Sequence, residues 1–398
     1  MDKSGEIKIP KGFLFATAEA AIKKPGRRDM ALIVSEKEAA MAGVFTTNRV
    51  KAAPVRMDMR QIRKGKGLAI VMNSGNANAC TGAQGMEDAV EMGDLTASLL
   101  GISPRSVYVC STGVIGTPLP MQRIRSAMPG LCASLGKGTI ADVAAAIMTT
   151  DTFPKMAART VRIGGKTCII SGVCKGAGMI APRMATMLCS IITDVFIGSA
   201  PLRVALREAV GRTFNRITVD GDMSTNDTVL IMANGMAGNR EIVAGTPEHR
   251  VFATALTGVA GDLSRLVVRD GEGATKVVEV IVRRAKSDRE ARRAARAVAD
   301  SLLVKTAMYG NDANWGRIMA ALGYSGIALD EPKVDIYLNG LAVVKGGLGK
   351  GNDTAANERL HAREVSIEID LGIGTGSDAV MTCDLTEEYV KINAEYRT

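Results

Sequence analysis

A chain of 398 residues has room for two or three hydrophobic cores, at the roughly 100–200 residues that one domain takes. Its composition is that of a globular protein, 46% hydrophobic and 23% charged, and an aromatic share of 4% leaves too few rings for a base-stacking platform. The net charge of +9 is spread along the sequence without a basic run, which argues against a nucleic-acid arm and leaves a general attraction for small anions.

The N-terminal stretch "MDKSGEIKIPKGFLFATAEA" lacks the apolar core of a signal peptide, and no later window offers the ~18 uncharged apolar residues of a membrane span. The expectation is a soluble, cytoplasmic protein without membrane contact. Strands are predicted over 67–75, 106–112, 166–176, 186–194 and 228–235, then over 276–284, 333–340, 364–372 and 379–385, several alternating apolar and polar residues. Helices are predicted over 85–101, 139–148, 201–214 and 315–323. The clearest helix starts at Ser287, a capping hydroxyl answered by Glu290 as a capping box, and runs through Met308. Strands and helices that mix without strict βαβ alternation predict an α/β (α+β) layered sandwich rather than a TIM barrel. Candidate boundaries fall near residues 185 and 240.

Seven cysteines (Cys80, Cys110, Cys132, Cys168, Cys174, Cys189 and Cys383) form no CxxC pair, so reduced and mostly buried thiols are expected, with no disulfide framework and no metal site. Histidine occurs only as His249 in "TPEHRVF" and His361 in "NERLHARE", charged surroundings that predict solvated side chains. That argues against a histidine-based triad. A threonine with a free α-amine carries its own base, because an amine of pKa near ~8 sits beside the hydroxyl.

The stretch "KGAGMIAPRMATML" (175–188) has the parts to make such a threonine. Glycines and Pro182 shape a bend, and attack by the Thr186 hydroxyl on the Ala185 carbonyl would move the acyl group from nitrogen to oxygen. Water would then release a new N-terminal threonine. Taken alone, the same stretch reads as a Gly-Pro hairpin followed by a buried β-branched residue, and the local pattern favours that plainer reading.

The chain as a whole resembles the ornithine acetyltransferase (glutamate N-acetyltransferase) family. The resemblance rests on "AGVFTTNRVKAAPV" (42–55), "NSGNANACTGAQG" (73–85), "STGVIG" (111–116), "IMTTDTFPK" (147–155), "KGAGMIAPRMATML", "ITVDGDMSTNDT" (217–228), "RDGEGATK" (269–276), "GNDANWGRIMAALGYSG" (310–326) and "YVKINAEYRT" (389–398). It implies an ArgJ/DmpA-like fold and self-cleavage between Ala185 and Thr186 into an α chain (1–185) and a β chain (186–398). It also implies acetyl transfer from N2-acetyl-L-ornithine through Thr186 to L-glutamate. Thr112 and Gly113 match the family's oxyanion hole, and Thr152, Lys175, Thr186, Glu272, Asn393 and Thr398 match substrate contacts. Thr149 and Thr150 compete with Thr152 for its place.

No cofactor is implied; acetyl-CoA would enter as a substrate if the enzyme is bifunctional. The implied assembly is a heterotetramer of two α and two β chains. Arg183 departs from the smaller polar residue expected before "MAT". An amidase or aminopeptidase built on the same nucleophile is the alternative reading.

Overall fold

The computed structural model describes residues 7–181 and 187–395, so Arg183, Ala185, Thr186 and Thr398 lie outside the described residues. The chain divides into two compact units, one of residues 1–215 and 223–267 and the other of residues 216–222 and 268–398. Both are α/β, each a mixed sheet packed with helices.

The first unit is built on eight strands: β1 (Phe13–Ala18), β2 (Met30–Phe45), β3 (Lys66–Asn76), β4 (Val107–Val114), β5 (Lys155–Ile163), β6 (Lys166–Lys175), β7 (Leu188–Thr193) and β8 (Thr228–Ala233). They run in the order β4-β3-β2-β8-β7-β6-β5, with β1 beside the first half of β2. β3 is parallel to β4 and β7 to β8; the other neighbours are antiparallel. β2 joins the two halves of the sheet. Its residues 30–34 pair with β3, its residues 40–45 pair with β8, and the exposed charges of Glu36, Lys37 and Glu38 mark the irregular register between them.

Both faces of this sheet are buried, which is why β3 reads as a continuous apolar run. Ile70 and Met72 point into a core shared with Tyr108, Val173, Leu188 and Leu230. Ala69 and Val71 point the other way, toward Met92 of α2 (Gly82–Leu100) and Ile124 and Leu131 of α3 (Met121–Ala133). The free edge at β4 is covered by α1 (Ala53–Gln61), whose Gln61 Nε2 donates to the Val107 carbonyl and whose Asp58 Oδ1 accepts from the Val109 N–H at 3.2 Å. α4 (Ile140–Ala146) carries a full capping box between Thr139 and Asp142, and α5 (Ser199–Arg212) packs against β2.

Asp58 is buried and its Oδ2 has no hydrogen-bond partner among the described residues. Burial pushes its carboxyl well above the usual carboxylate range, against a smaller lowering by the Val109 N–H. A carboxyl that holds its proton more tightly when folded supports the fold fully at low pH, and that support is lost as pH rises through the folded pKa. Asp58→Asn keeps the acceptor for Val109 and cannot ionise. Its thermal midpoint should therefore gain on the wild type progressively as pH rises above about 4, where the unfolded carboxyl starts to ionise; melting curves that stay parallel as pH rises would refute the assignment.

α6 (Pro247–Arg269) corrects two expectations. It was not foreseen as a helix, and at 23 residues with mean hydropathy 1.4 over its most apolar window it is long and apolar enough to cross a membrane, although no such window was expected. In the first unit it is a core helix: Phe252, Leu256 and Leu263 are buried, and Leu263 lies against Gly172 and Cys174 of β6. His249 in its first turn is buried rather than solvated, its Nε2 3.1 Å from the Pro201 carbonyl. His361 is exposed, as expected.

The second unit carries a six-stranded sheet of β9 (Val277–Ala285), β10 (Asp335–Leu338), β11 (Leu341–Lys345), β12 (Leu348–Gly349), β13 (Glu364–Asp370) and β14 (Gly376–Cys383), in the order β12-β11-β10-β13-β9-β14. Val278, Val280 and Val282 of β9 present one face to α7 (Asp288–Asp300). Ala291, Ala294, Ala295, Val298 and Ala299 recur at helical spacing along α7, and their small side chains let it lie close to the strands. The helix predicted from 287 to 308 is two. α7 stops at Asp300, and Ser301, with ψ 113°, caps a separate α8 (Leu302–Tyr309). Ser287 does accept from the Glu290 N–H, but the Glu290 carboxylate turns to the Ala328 N–H instead of closing the box. α9 (Trp315–Tyr324), α10 (Asp353–Leu360) and α11 (Glu387–Ala394) complete the unit.

The units do not divide at 185 or 240. β6 and β7, on either side of residue 185, are hydrogen-bonded neighbours in one sheet, and residue 240 lies within the first unit because tertiary pairing outweighs local composition. All seven cysteines are free, five of them buried.

Candidate active site

The last residues of β4 include Ser111, Thr112 and Gly113, where Thr112 is buried and Gly113 adopts φ 136°. A Cβ on Gly113 would stand 2.2 Å from the Gly75 carbonyl carbon and 2.4 Å from the Asn76 nitrogen, so the approach of the two strand ends requires glycine. Asn73 of "NSGNAN" ties the two strand ends: Ser111 Oγ donates to Asn73 Oδ1 at 2.6 Å, and Asn73 Nδ2 donates to the Asn76 carbonyl at 3.0 Å. The result is a strand end that carries one hydroxyl and, at Gly113, a backbone N–H in a conformation that favours glycine.

Lys175, the last residue of β6, is buried rather than a solvated strand-end charge, and its Nζ lies 3.4 Å from Thr112 Oγ1. An ammonium only donates, so the Thr112 hydroxyl accepts there and keeps its own hydrogen for another acceptor. In the ladder Lys175 stands opposite Leu188 of β7, two residues beyond Thr186.

Asp151 ties the preceding loop to this strand end. Its Oδ1 accepts from Lys155 Nζ at 2.6 Å and from the Gly176 N–H at 2.7 Å, and its Oδ2 accepts from the Thr149 N–H at 2.9 Å. Burial alone would raise this carboxyl, but the Lys175 and Lys155 cations and the Gly176 N–H hold it down to about 2. Both side chains of the Lys155–Asp151 pair are fully buried, and removing one partner of such a pair typically costs about 3–5 kcal/mol. Thr152 follows Asp151 in the chain and is exposed on the loop that this pair anchors.

The segment 224–228 touches both parts. Asn226 Nδ2 donates to the Ala77 carbonyl at 2.6 Å and the Ser111 carbonyl at 2.7 Å, and Asp227 Oδ1 accepts from the Met187 N–H at 2.9 Å. Asp151, Lys155, Asn226 and Asp227 were passed over in the sequence. The signal was present in the acid and lysine four apart in "TTDTFPK" and in the polar run "STNDT". Thr112, Gly113 and Lys175 are thus brought together in the first unit, with Thr152 on the adjoining loop.

In the second unit Glu272 is buried and its Oε2 accepts from Asn393 Nδ2 of α11 at 2.8 Å. Gly273 sits where α11 begins: with φ 69°, a Cβ there would meet the Tyr389 nitrogen at 2.7 Å, and the Thr386 hydroxyl donates to the Gly273 carbonyl at 2.8 Å. The C-terminal helix is therefore docked on the Glu272 turn. Tyr389 is pushed above the usual phenol range by burial and then by the carboxylates of Asp220, Glu272 and Asp222. That concentration of negative charge suits an amine rather than a phosphate. No group of His, Cys, Asp and Glu among the described residues is arranged to hold a metal ion.

The sequence model of the ArgJ family matches residues 14–398. The chain is 54% identical to the arginine biosynthesis bifunctional protein ArgJ of Geobacter sulfurreducens, over 98% of this chain and 99% of that one. It is 51% identical to the protein of the same name from Symbiobacterium thermophilum, over 99% of each. Among solved structures, the crystallised arginine biosynthesis bifunctional protein argJ of Bacillus halodurans aligns with a TM-score of 0.50 and 43% identity, over 52% of this chain and 97% of that one.

Proposed function

Because the chain belongs to the ArgJ family of arginine-biosynthesis acetyltransferases, we propose that it carries acetyl from N2-acetyl-L-ornithine to L-glutamate on Thr186, after cutting itself between Ala185 and Thr186. The observation that carries this reading is the meeting of Thr112 and Gly113 with Lys175 at strand ends that adjoin the start of β7. In the cut, the Thr186 oxygen bonds to the Ala185 carbonyl carbon, the C–N bond breaks, and the threonine nitrogen takes up the proton. Water then hydrolyses the ester, leaving a carboxylate on Ala185 and a free amine and hydroxyl on Thr186.

In turnover the freed amine accepts the hydroxyl proton as the oxygen attacks the acetyl carbonyl. The Thr112 hydroxyl and Gly113 N–H stabilise the resulting oxyanion. The amide bond breaks, ornithine leaves with the proton on its amine, and the amine of glutamate attacks the acetyl ester to give N-acetylglutamate and restore Thr186. Lys175 serves an anionic substrate group and lowers the proton affinity of the Thr186 amine by like-charge repulsion. Glu272, positioned by Asn393, receives an ornithine amine, while Thr152 and Thr398 supply polar contacts. The bifunctional names of the relatives extend the reading to a second activity, for which acetyl-CoA is the donor we assign. The proposal includes two α and two β chains per assembly, in the cytoplasm.

Incubation with N-acetylornithine, with and without glutamate, tests the acceptor. Sustained ornithine release should require glutamate and match the acetylglutamate formed. Release indifferent to glutamate would make the enzyme an amidase and sink the transferase reading.

A further inference from the structure

We propose that Asn226 and Asp227 are a pair of positioning residues that fix the oxyanion strand end of β4 and the backbone next to the nucleophile from one short segment. The proposal rests on the assignment of Thr186 as nucleophile. Neither residue belongs to the groups given a chemical role above; both act through backbone atoms of residues that flank such groups.

Asn226 is buried, and both hydrogens of its amide nitrogen are used, on the carbonyls of Ala77 and Ser111. Ser111 is bonded directly to Thr112, so this contact sets the plane of the peptide that leads to Thr112 and Gly113. Asn226 Oδ1 accepts from Thr225 Oγ1 at 2.6 Å, which fixes the orientation of the side-chain amide, and the Asn226 backbone N–H donates to Ser224 Oγ at 3.0 Å.

Asp227 acts on the other partner of the reaction. Its Oδ1 accepts from the Met187 N–H at 2.9 Å, and the next N–H in the chain, that of Thr228, donates to the Met187 carbonyl at 2.9 Å. Both backbone groups of Met187, one peptide bond from Thr186, are thus held by consecutive residues. The Thr46 N–H donates to the Asp227 carbonyl at 2.9 Å, so the holder is itself held.

Asp227 is 1% exposed. The Thr46 hydroxyl lies near it but gives its hydrogen to the Ser224 carbonyl, and Oδ2 has no hydrogen-bond partner among the described residues. Burial raises this carboxyl well above the usual range, against lowering by the Met187 N–H, Thr46 and the Lys175 cation. A buried polar atom left unmatched costs stability, so a carboxyl in this place is explained by what it positions rather than by what it adds to the fold.

The experiment follows Asp227→Ala, Asp227→Asn and Asn226→Ala beside the wild type, by the rate of chain splitting in intact-mass spectra, kcat and KM for N-acetylornithine, and the thermal midpoint. Misplacing a reacting group by ~1 Å costs on the order of 100-fold. Asp227→Ala is accordingly expected to slow splitting and lower kcat by about 100-fold with KM changed less than about threefold, and Asn226→Ala to lower kcat by about tenfold. Asp227→Asn keeps an acceptor for the Met187 N–H and should recover most of the loss even if the alanine variant folds poorly.

Splitting and kcat at the wild-type level in Asp227→Ala, equal losses in Asp227→Asn and Asp227→Ala, or losses that merely follow the folded fraction would each overturn the proposal. A wild type that neither splits nor transfers acetyl would instead overturn the assignment of Thr186 itself.

Discussion

Thr186→Ala is expected to remain one polypeptide of 41.8 kDa and to show no acetyl transfer, whereas the wild type should give two fragments, the second beginning with Thr186. Without the hydroxyl there is no oxygen to receive the Ala185 acyl group and none to carry acetyl. Loss of a nucleophile in a covalent mechanism lowers kcat by at least about 10⁴-fold. Thr186→Ser keeps the oxygen and should split and turn over, more slowly, because it lacks the methyl that restricts the side-chain rotamer. Intact-mass measurement reads the first effect and ornithine release the second. Complete splitting of the alanine variant would remove self-cleavage by Thr186 from the mechanism. The sheet explains how a cut chain would hold together: β6 before the cut and β7 after it exchange a full antiparallel ladder, from Lys175 opposite Leu188 to Ile170 opposite Thr193.

The elements that were legible in the sequence are those whose apolar pattern is uninterrupted. Strands β3, β4, β6, β7 and β8, with both faces buried, read as apolar runs and were placed within a few residues. β2 was missed because Glu36, Lys37 and Glu38 interrupt it at the register irregularity, and local alternation cannot see that the two halves serve different partners. α6 was missed because small residues and scattered charges blur its apolar face, and its burial depends on β6, far away in the sequence. The break between α7 and α8 was visible only as Ser301. A serine within a helical pattern is ambiguous until its backbone leaves the helix.

The site divides along the same line. The motifs carried Thr112, Gly113 and Lys175, and the structure brings these into contact although β4 and β6 lie five places apart in the sheet order. The residues that hold them stood in the sequence only as an acid and lysine four apart and a polar run, and what they hold was not legible, because Asp151, Asn226 and Asp227 act on the backbone atoms of Gly176, Ser111 and Met187. A side chain that recognises a distant peptide group leaves no spacing rule in the sequence. His249 shows the converse: its charged neighbours suggested solvent, but the buried face of α6 and the Pro201 carbonyl decide its environment.

The proposed oxyanion site at the end of β4 offers the second large effect, and two substitutions there should separate chemistry from architecture. Thr112→Val preserves shape and removes the hydroxyl, while Lys175 keeps the Asp151 charge as its neighbour. Loss of one oxyanion donor lowers kcat by about 10²–10³-fold. Because the same oxyanion forms when Thr186 attacks Ala185, chain splitting should slow together with acetyl transfer, with KM and the thermal midpoint little changed. Gly113→Ala acts differently. Its new methyl would meet the Gly75 and Asn76 backbone at 2.2–2.4 Å in a conformation of φ 136°, so the strand end must move and carry the Gly113 N–H with it. That strain is worth about 1–3 kcal/mol or more, and the alanine variant should lose both kcat and thermal stability. A Thr112→Val enzyme that splits and transfers acetyl at the wild-type rate would show that the hydroxyl stabilises no oxyanion in either reaction.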